Sequence, residues 1–171
     1  GDVLVRVGGE LVTGFLPLEA TLDDSVGETI SVEVERGGES ISLQLTVEDL
    51  HAITPDEFME FGGGIVHELS YQQARNHVVP VKGLYVATPG FTLGAAGVPD
   101  GALLREVDGQ PVTTLDDFWE ALVGKAHGDR VPLRYASIRF PRREMVTVLE
   151  MDRLWFELRR CTRNDTTGLW P

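Results

Sequence analysis

The 171-residue sequence predicts a mainly β fold with two to three short helices, a β-sandwich or roll in type. Three observations carry that expectation: alternating strands recur, the apolar runs are short, and glycine reaches 19 residues, above the roughly 7% of average usage. The clearest strand spans 29–36, where Ile30, Val32 and Val34 fall on one face and Ser31, Glu33 and Glu35 on the other. A half-buried antiparallel strand requires that alternation. Arg36-Gly37-Gly38-Glu39 then turns the chain into a second alternating strand over 40–47.

An internal repeat of roughly 35 residues, at an offset of about 100, sets the expected organisation. Gly1-Asp2-Val3-Leu4-Val5-Arg6-Val7 with Gly8-Gly9 and Val12-Thr13 corresponds to Gly101-Ala102-Leu103-Leu104-Arg105-Glu106-Val107 with Asp108-Gly109 and Val112-Thr113. Each copy runs into a helix-like stretch, around Leu18 to Leu22 and around Trp119 to Leu122, and closes in an alternating strand. The repeat predicts half of one module over 1–47, a linker over 48–60, a complete module over 61–152 and a linker tail over 153–171. Further helices are expected over 71–77 and 115–126, and Thr54-Pro55-Asp56-Glu57 has the N-cap, first-turn proline and capping-box acid of a short one.

Charge and composition narrow the function. Fifteen Lys and Arg against 27 Asp and Glu leave a formal charge of −12, which repels phosphate backbones and anionic headgroups. Neither nucleic acid nor membrane is an expected partner, and Arg139, Arg142, Arg143, Arg159 and Arg160 read as solvated hairpin-tip or tail charge. No apolar run approaches the roughly 20 residues of a membrane-spanning helix, and no secretory leader opens the chain. The single cysteine, Cys161, forms no internal disulfide, and His51, His67, His77 and His127 contain no i, i+4 pair, so no metal and no cofactor is expected. None of Ser25, Ser31, Ser40, Ser42, Ser70 or Ser137 sits in a Gly-x-Ser-x-Gly setting, and no catalytic residue is expected. Asp23-Asp24 and Asp116-Asp117 border helical stretches, where aspartate complements the dipole.

The remaining candidate is Phe61-Gly62-Gly63-Gly64-Ile65-Val66-His67. Three glycines after an aromatic residue allow backbone N–H groups to converge on an anion. A phosphate cradle would want a lysine and a helix directly afterwards, whereas Ile65-Val66 begins a strand. A peptide carboxylate suits that arrangement, with the outgoing strand pairing an incoming peptide; the alternative is a plain tight turn.

These residues resemble PDZ domains, and among them the circularly permuted type of HtrA/DegP-like serine proteases. The likeness rests on the order of the aromatic-glycine loop and strand (61–69), helix (71–77), strand Lys82-Gly83-Leu84-Tyr85-Val86, small-residue segment (93–98), Asp100-Gly101 strand, second helix and final hairpin. The stretches Glu68-Leu69-Ser70-Tyr71-Gln72-Gln73-Ala74-Arg75-Asn76 and Val81-Lys82-Gly83-Leu84-Tyr85-Val86 are similar to large fungal HtrA-like proteases described as nuclear and pro-apoptotic.

The resemblance implies a non-catalytic, peptide-binding and regulatory region of a serine endopeptidase, intracellular and nuclear. Its implied partners are extended or C-terminal peptides and unfolded segments, neighbouring protease-like domains, and further copies of itself. The Gly62, Gly63 and Gly64 backbone beside Phe61 would hold the carboxylate, Ile65 and His67 would supply the pairing strand, and Phe118, Trp119 and Leu122 would wall the groove or belong to the core. The loop departs from the family pattern in its extra glycine, which adds entropy to be lost on binding. The rival reading is a structural spacer whose groove is filled by the chain itself.

Overall fold

A computed structural model describes residues 1–171 and divides them into two compact units, 1–53 and 54–171. The first contains β1 (Val3–Val7), β2 (Glu10–Leu11), α1 (Phe15–Asp24), β3 (Thr29–Arg36) and β4 (Glu39–Thr46). They form an antiparallel sheet in the order β2-β1-β3-β4. The expected hairpin is present, with Arg36 opposite Glu39 and the intervening glycines at positive φ. Val7, Ile30, Val32 and Val34 make a small core, and Leu18 and Leu22 of α1 pack against it. Leu43 and Leu45, opposite Val32 and Ile30 in register and so on the core-facing side, remain 41% and 51% exposed.

The second unit contains β5 (Glu57–Phe61), β6 (Gly64–Glu68), α2 (Tyr71–His77), β7 (Leu84–Thr88), α3 (Thr92–Ala95), β8 (Ala102–Val107), β9 (Gln110–Pro111), α4 (Leu115–Val123), β10 (Arg130–Ser137), β11 (Phe140–Glu150) and β12 (Arg159–Thr162). Its sheet runs β11-β10-β8-β7-β6-β5-β12, with β9 paired to β8. The connectivity β8-β9-α4-β10-β11 follows the same order as β1-β2-α1-β3-β4.

Local chemistry explains the two longer helices of this unit. Ser70 caps α2 by accepting from the Gln73 N–H at 3.2 Å, and the helix stops where Val78 adopts a left-handed conformation. Thr114 caps α4 within a capping box: its hydroxyl accepts from the Asp117 N–H, and the Asp117 carboxylate accepts from the N–H groups of Thr113 (2.8 Å) and Thr114 (3.0 Å). Those donors hold the Asp117 carboxyl below the usual aspartate range. Leu115, Phe118 and Leu122 recur at i, i+3 and i+7 and are all buried, so α4 covers the core with one stripe.

The structure departs from the sequence expectation at four places. No helix starts at Thr54; residues 57–60, placed in the linker, form β5 together with Phe61, because pairing on both sides satisfies more backbone than one isolated turn of helix could. The tail expected over 153–171 contributes β12 to the same sheet. The second helix ends at Val123, short of residue 126, at Gly124. The small-residue segment yields an additional helical turn, α3, making four helices in the chain.

Candidate functional site

The candidate loop is a β-hairpin. Phe61 and Gly64 are paired across it, and Gly62 (φ +57°) and Gly63 (φ +75°) occupy the two central positions with the left-handed conformation that a primed two-residue turn requires. Its surroundings are close. A Cβ on Gly62 would overlap the Thr92 side chain, one on Gly63 would lie 2.9 Å from the Phe156 ring, and one on Gly64 would lie 2.5 Å from the Thr88 carbonyl. The Gly62 carbonyl accepts from the N–H groups of Phe91 (2.8 Å) and Thr92 (3.2 Å). The three glycines therefore permit backbone and ring packing around a tight turn against 88–92 and Phe156, and Gly63 and Gly64 also line an open depression of about 330 Å³ with Ile65, Phe156 and Arg159.

The expected pairing strand is also not an edge. β6 is paired by β5 over 64–66 and by β7 over 65–68: Ile65 lies opposite both Glu60 and Thr88, and His67 opposite Tyr85. An incoming strand has no unsatisfied ladder to join there while β5 is in place.

The nine residues singled out from the sequence separate into two faces of the sheet. On the inner face Phe61, at the end of β5, meets Phe118 of α4 edge-on, with ring centroids 5.6 Å apart. Phe61, Phe118 and Leu122 are buried in the core with Met59 and Val66, and Trp119 packs partly buried against it. Ile65 and His67 point to the outer face, since strand side chains alternate and Val66 between them is fully buried. There they line an open depression of about 300 Å³ with Phe58, Gln72, Gln73 and Trp170. The His67 ring lies 5.3 Å from that of Tyr85, and its Nδ1 lies 2.7 Å from the Glu68 carbonyl oxygen. Burial and the nearby Asp100 charge raise the Tyr85 phenol above its ordinary range. Phe118 and Leu122 are thus core residues, and no single groove holds all nine.

Sequence reasoning missed β5, the strand paired to β6, and β12, the strand beyond it. Glu57-Phe58-Met59-Glu60-Phe61 does not alternate strictly and follows a helix-start signature, which hid β5. Arg159 and Arg160, read as solvated tail charge, are both paired: Arg159 with Glu60 at 3.0 Å, and Arg160 with Glu57 of β5 and Asp116 of α4. The Thr162 hydroxyl donates to Glu57 at 3.0 Å. These partners raise both guanidinium pKa values further above the ordinary arginine range.

An ordered aromatic-glycine hairpin, a seven-strand run of antiparallel pairing and a capped second helix define a PDZ-like domain, and residues 52–124 match the family model described as "PDZ-like domain". Residues 52–124 are thus PDZ-like, and the chain as a whole is similar to a stretch of larger proteins named as serine proteases. Over 99% of its length it is 44% identical to Protease Do-like 7 of Arabidopsis thaliana. It is 40% identical to the pro-apoptotic serine protease nma111 of Aspergillus terreus and 41% identical to that of Phaeosphaeria nodorum, again over 99% of the chain. It spans only about a sixth of the length of these curated relatives, and the family model that matches within it is a PDZ-like domain. No helix is long and apolar enough to cross a membrane.

Proposed function

We propose that this chain is a non-catalytic assembly and regulatory module of a longer HtrA-like serine protease, with the slot between β6 and α4 filled in cis by β5. The observation that carries the reading is the double pairing of β6, together with Phe61 seated on Phe118 where a bound peptide's side chain would lie. Peptidase activity, on this reading, belongs to protease domains elsewhere in the longer protein, and the module's partners are those domains.

The residues 1–47 read as the C-terminal half of a preceding PDZ-like module. Their shared connectivity with β8 to β11 supports this, as does the difference in cover: α3 and Met151 help to bury the core face at β11, whereas Leu43 and Leu45 stay exposed on β4. Nuclear placement and a pro-apoptotic setting are carried by the resemblance to the fungal proteins.

A fluorescence-anisotropy titration tests the filled slot. Hydrophobic-ended peptides, each as free carboxylate and as C-terminal amide, are expected to show no saturation up to about 1 mM with the 171-residue chain. Saturable binding with the amide at least about tenfold weaker would identify an open carboxylate reader instead and overturn the proposal.

A further inference from the structure

With β6 enclosed, the sheet's outermost strand on this side is β12. It is four residues long, against an average strand of ~5–6, and is reached through 151–158, a stretch without helix or strand that leaves Leu154 and Trp155 exposed. It pairs with one neighbour only, in the register Arg159↔Glu60, Arg160↔Met59, Cys161↔Phe58, Thr162↔Glu57.

The side chains follow the same division. Arg160 reaches Glu57 and Asp116 on the α4 side, Arg159 reaches Glu60 on the other face, and the small Cys161 is fully buried opposite Phe58. Much of the polar attachment is solvent-accessible: the Arg159 and Glu60 side chains are exposed at 61% and 40%. Exposed pairs of this kind hold weakly and weaken with salt. Detaching β12 would leave the ladder of β5 open beside three carboxylates, Glu57, Glu60 and Asp116, with a small apolar recess between them.

We propose that the outer edge of β5 is a strand-binding site, held closed by β12 as a cis ligand, which takes extended segments carrying two consecutive arginines followed by a small side chain. The inference rests on the reading that β5 is a fixed part of the domain, because only then is its outer edge the available one. Charge complementarity selects the occupant: a segment with acidic residues at the two arginine positions would face Glu57, Glu60 and Asp116 without compensation. Release of the strap then couples the surroundings of residues 151–171 to capture of an arginine-bearing strand.

Two measurements on the whole chain test this. Cys161 is the sole cysteine and is buried in β12, so its reaction with an aromatic disulfide reagent in native buffer reports opening of the strap. The expected rate is at least about tenfold above that allowed by global unfolding, measured by circular dichroism, and rises with sodium chloride. The second measurement titrates a labelled peptide copying residues 157–163, with alanine at the cysteine position, against wild type and Arg160→Glu. The variant changes the strap and leaves the β5 edge intact, so at least about tenfold tighter peptide binding is expected, and none for a peptide with both arginines replaced by glutamate.

A thiol rate equal to global unfolding, or a folded Arg160→Glu chain that does not bind, overturns the inference. Should Arg160→Glu unfold, Arg160→Gln carries the same expectations. Carboxylate-selective binding by the wild-type chain would overturn the filled-slot reading and with it the premise of a fixed β5, whereas a slow thiol or a non-binding variant overturns the strap alone.

Discussion

Phe61 and Phe118 meet edge to face, their ring centroids 5.6 Å apart and their planes at 85°. That contact joins the last residue of β5 to the middle of α4, and both side chains are almost wholly buried. Truncation to alanine at either position is expected to cost about 3–5 kcal/mol in urea denaturation. The double variant should reveal a coupling of about 0.5–1.5 kcal/mol beyond the sum of the areas lost. Additive effects would show that the two rings occupy independent sites.

Gly90 sits against the hairpin turn with φ +58°, and a Cβ there would overlap the backbone of Gly63 and Gly64. Backbone atoms cannot step aside as a flexible side chain can. Gly90→Ala should destabilise by more than about 4 kcal/mol, whereas Gly109→Ala, at a positive φ but with open space around it, should cost only about 1–2 kcal/mol. Comparison of the two denaturation midpoints separates steric overlap from backbone strain.

The capping box of α4 predicts a pH dependence. Asp117 is held below its unfolded value by the Thr113 and Thr114 N–H groups, so its contribution is fully present above the ordinary aspartate value near 3.9 and is lost as pH falls through the lower folded value. Asp117→Asn should therefore reduce stability at pH 7, and the gap between variant and wild type should close on acidification below about pH 4. Thr114→Ala removes the reciprocal bond and should cost about 1 kcal/mol.

Val78 closes α2 at φ +54°, and the residue is 92% exposed. A β-branched residue gains nothing from packing there and bears the left-handed penalty. Val78→Gly is expected to raise stability by about 0.5–1 kcal/mol, read as a higher thermal midpoint, since relief of strain outweighs the extra freedom of the unfolded chain.

Local patterns made much of the fold legible. The alternation of Ile30, Val32 and Val34 located β3 and Asp116-Asp117 marked the start of α4, because each signal acts within a few residues. The candidate site was legible only in its ingredients. Phe61 and the three glycines do mark a special turn, but whether that turn is open depends on Thr92 and Phe156, which arrive from about 30 and 90 residues away.

Residues 57–61 and 159–162 show the reason most directly. A strand's existence depends on a partner as much as on its own alternation, and β5 and β12 are partners 100 residues apart, joined by arginines that are indistinguishable in sequence from solvated charge. The sequence by itself determined the mainly β class, the Gly37-Gly38 hairpin turn and the absence of a nucleophile motif, all of which follow from local geometry or from residue type. Only the tertiary structure decided that β6 lies inside the sheet, paired by β5 on one side and β7 on the other, because strand order is a property of long-range pairing, and no periodicity along the chain encodes which edge is left unpaired.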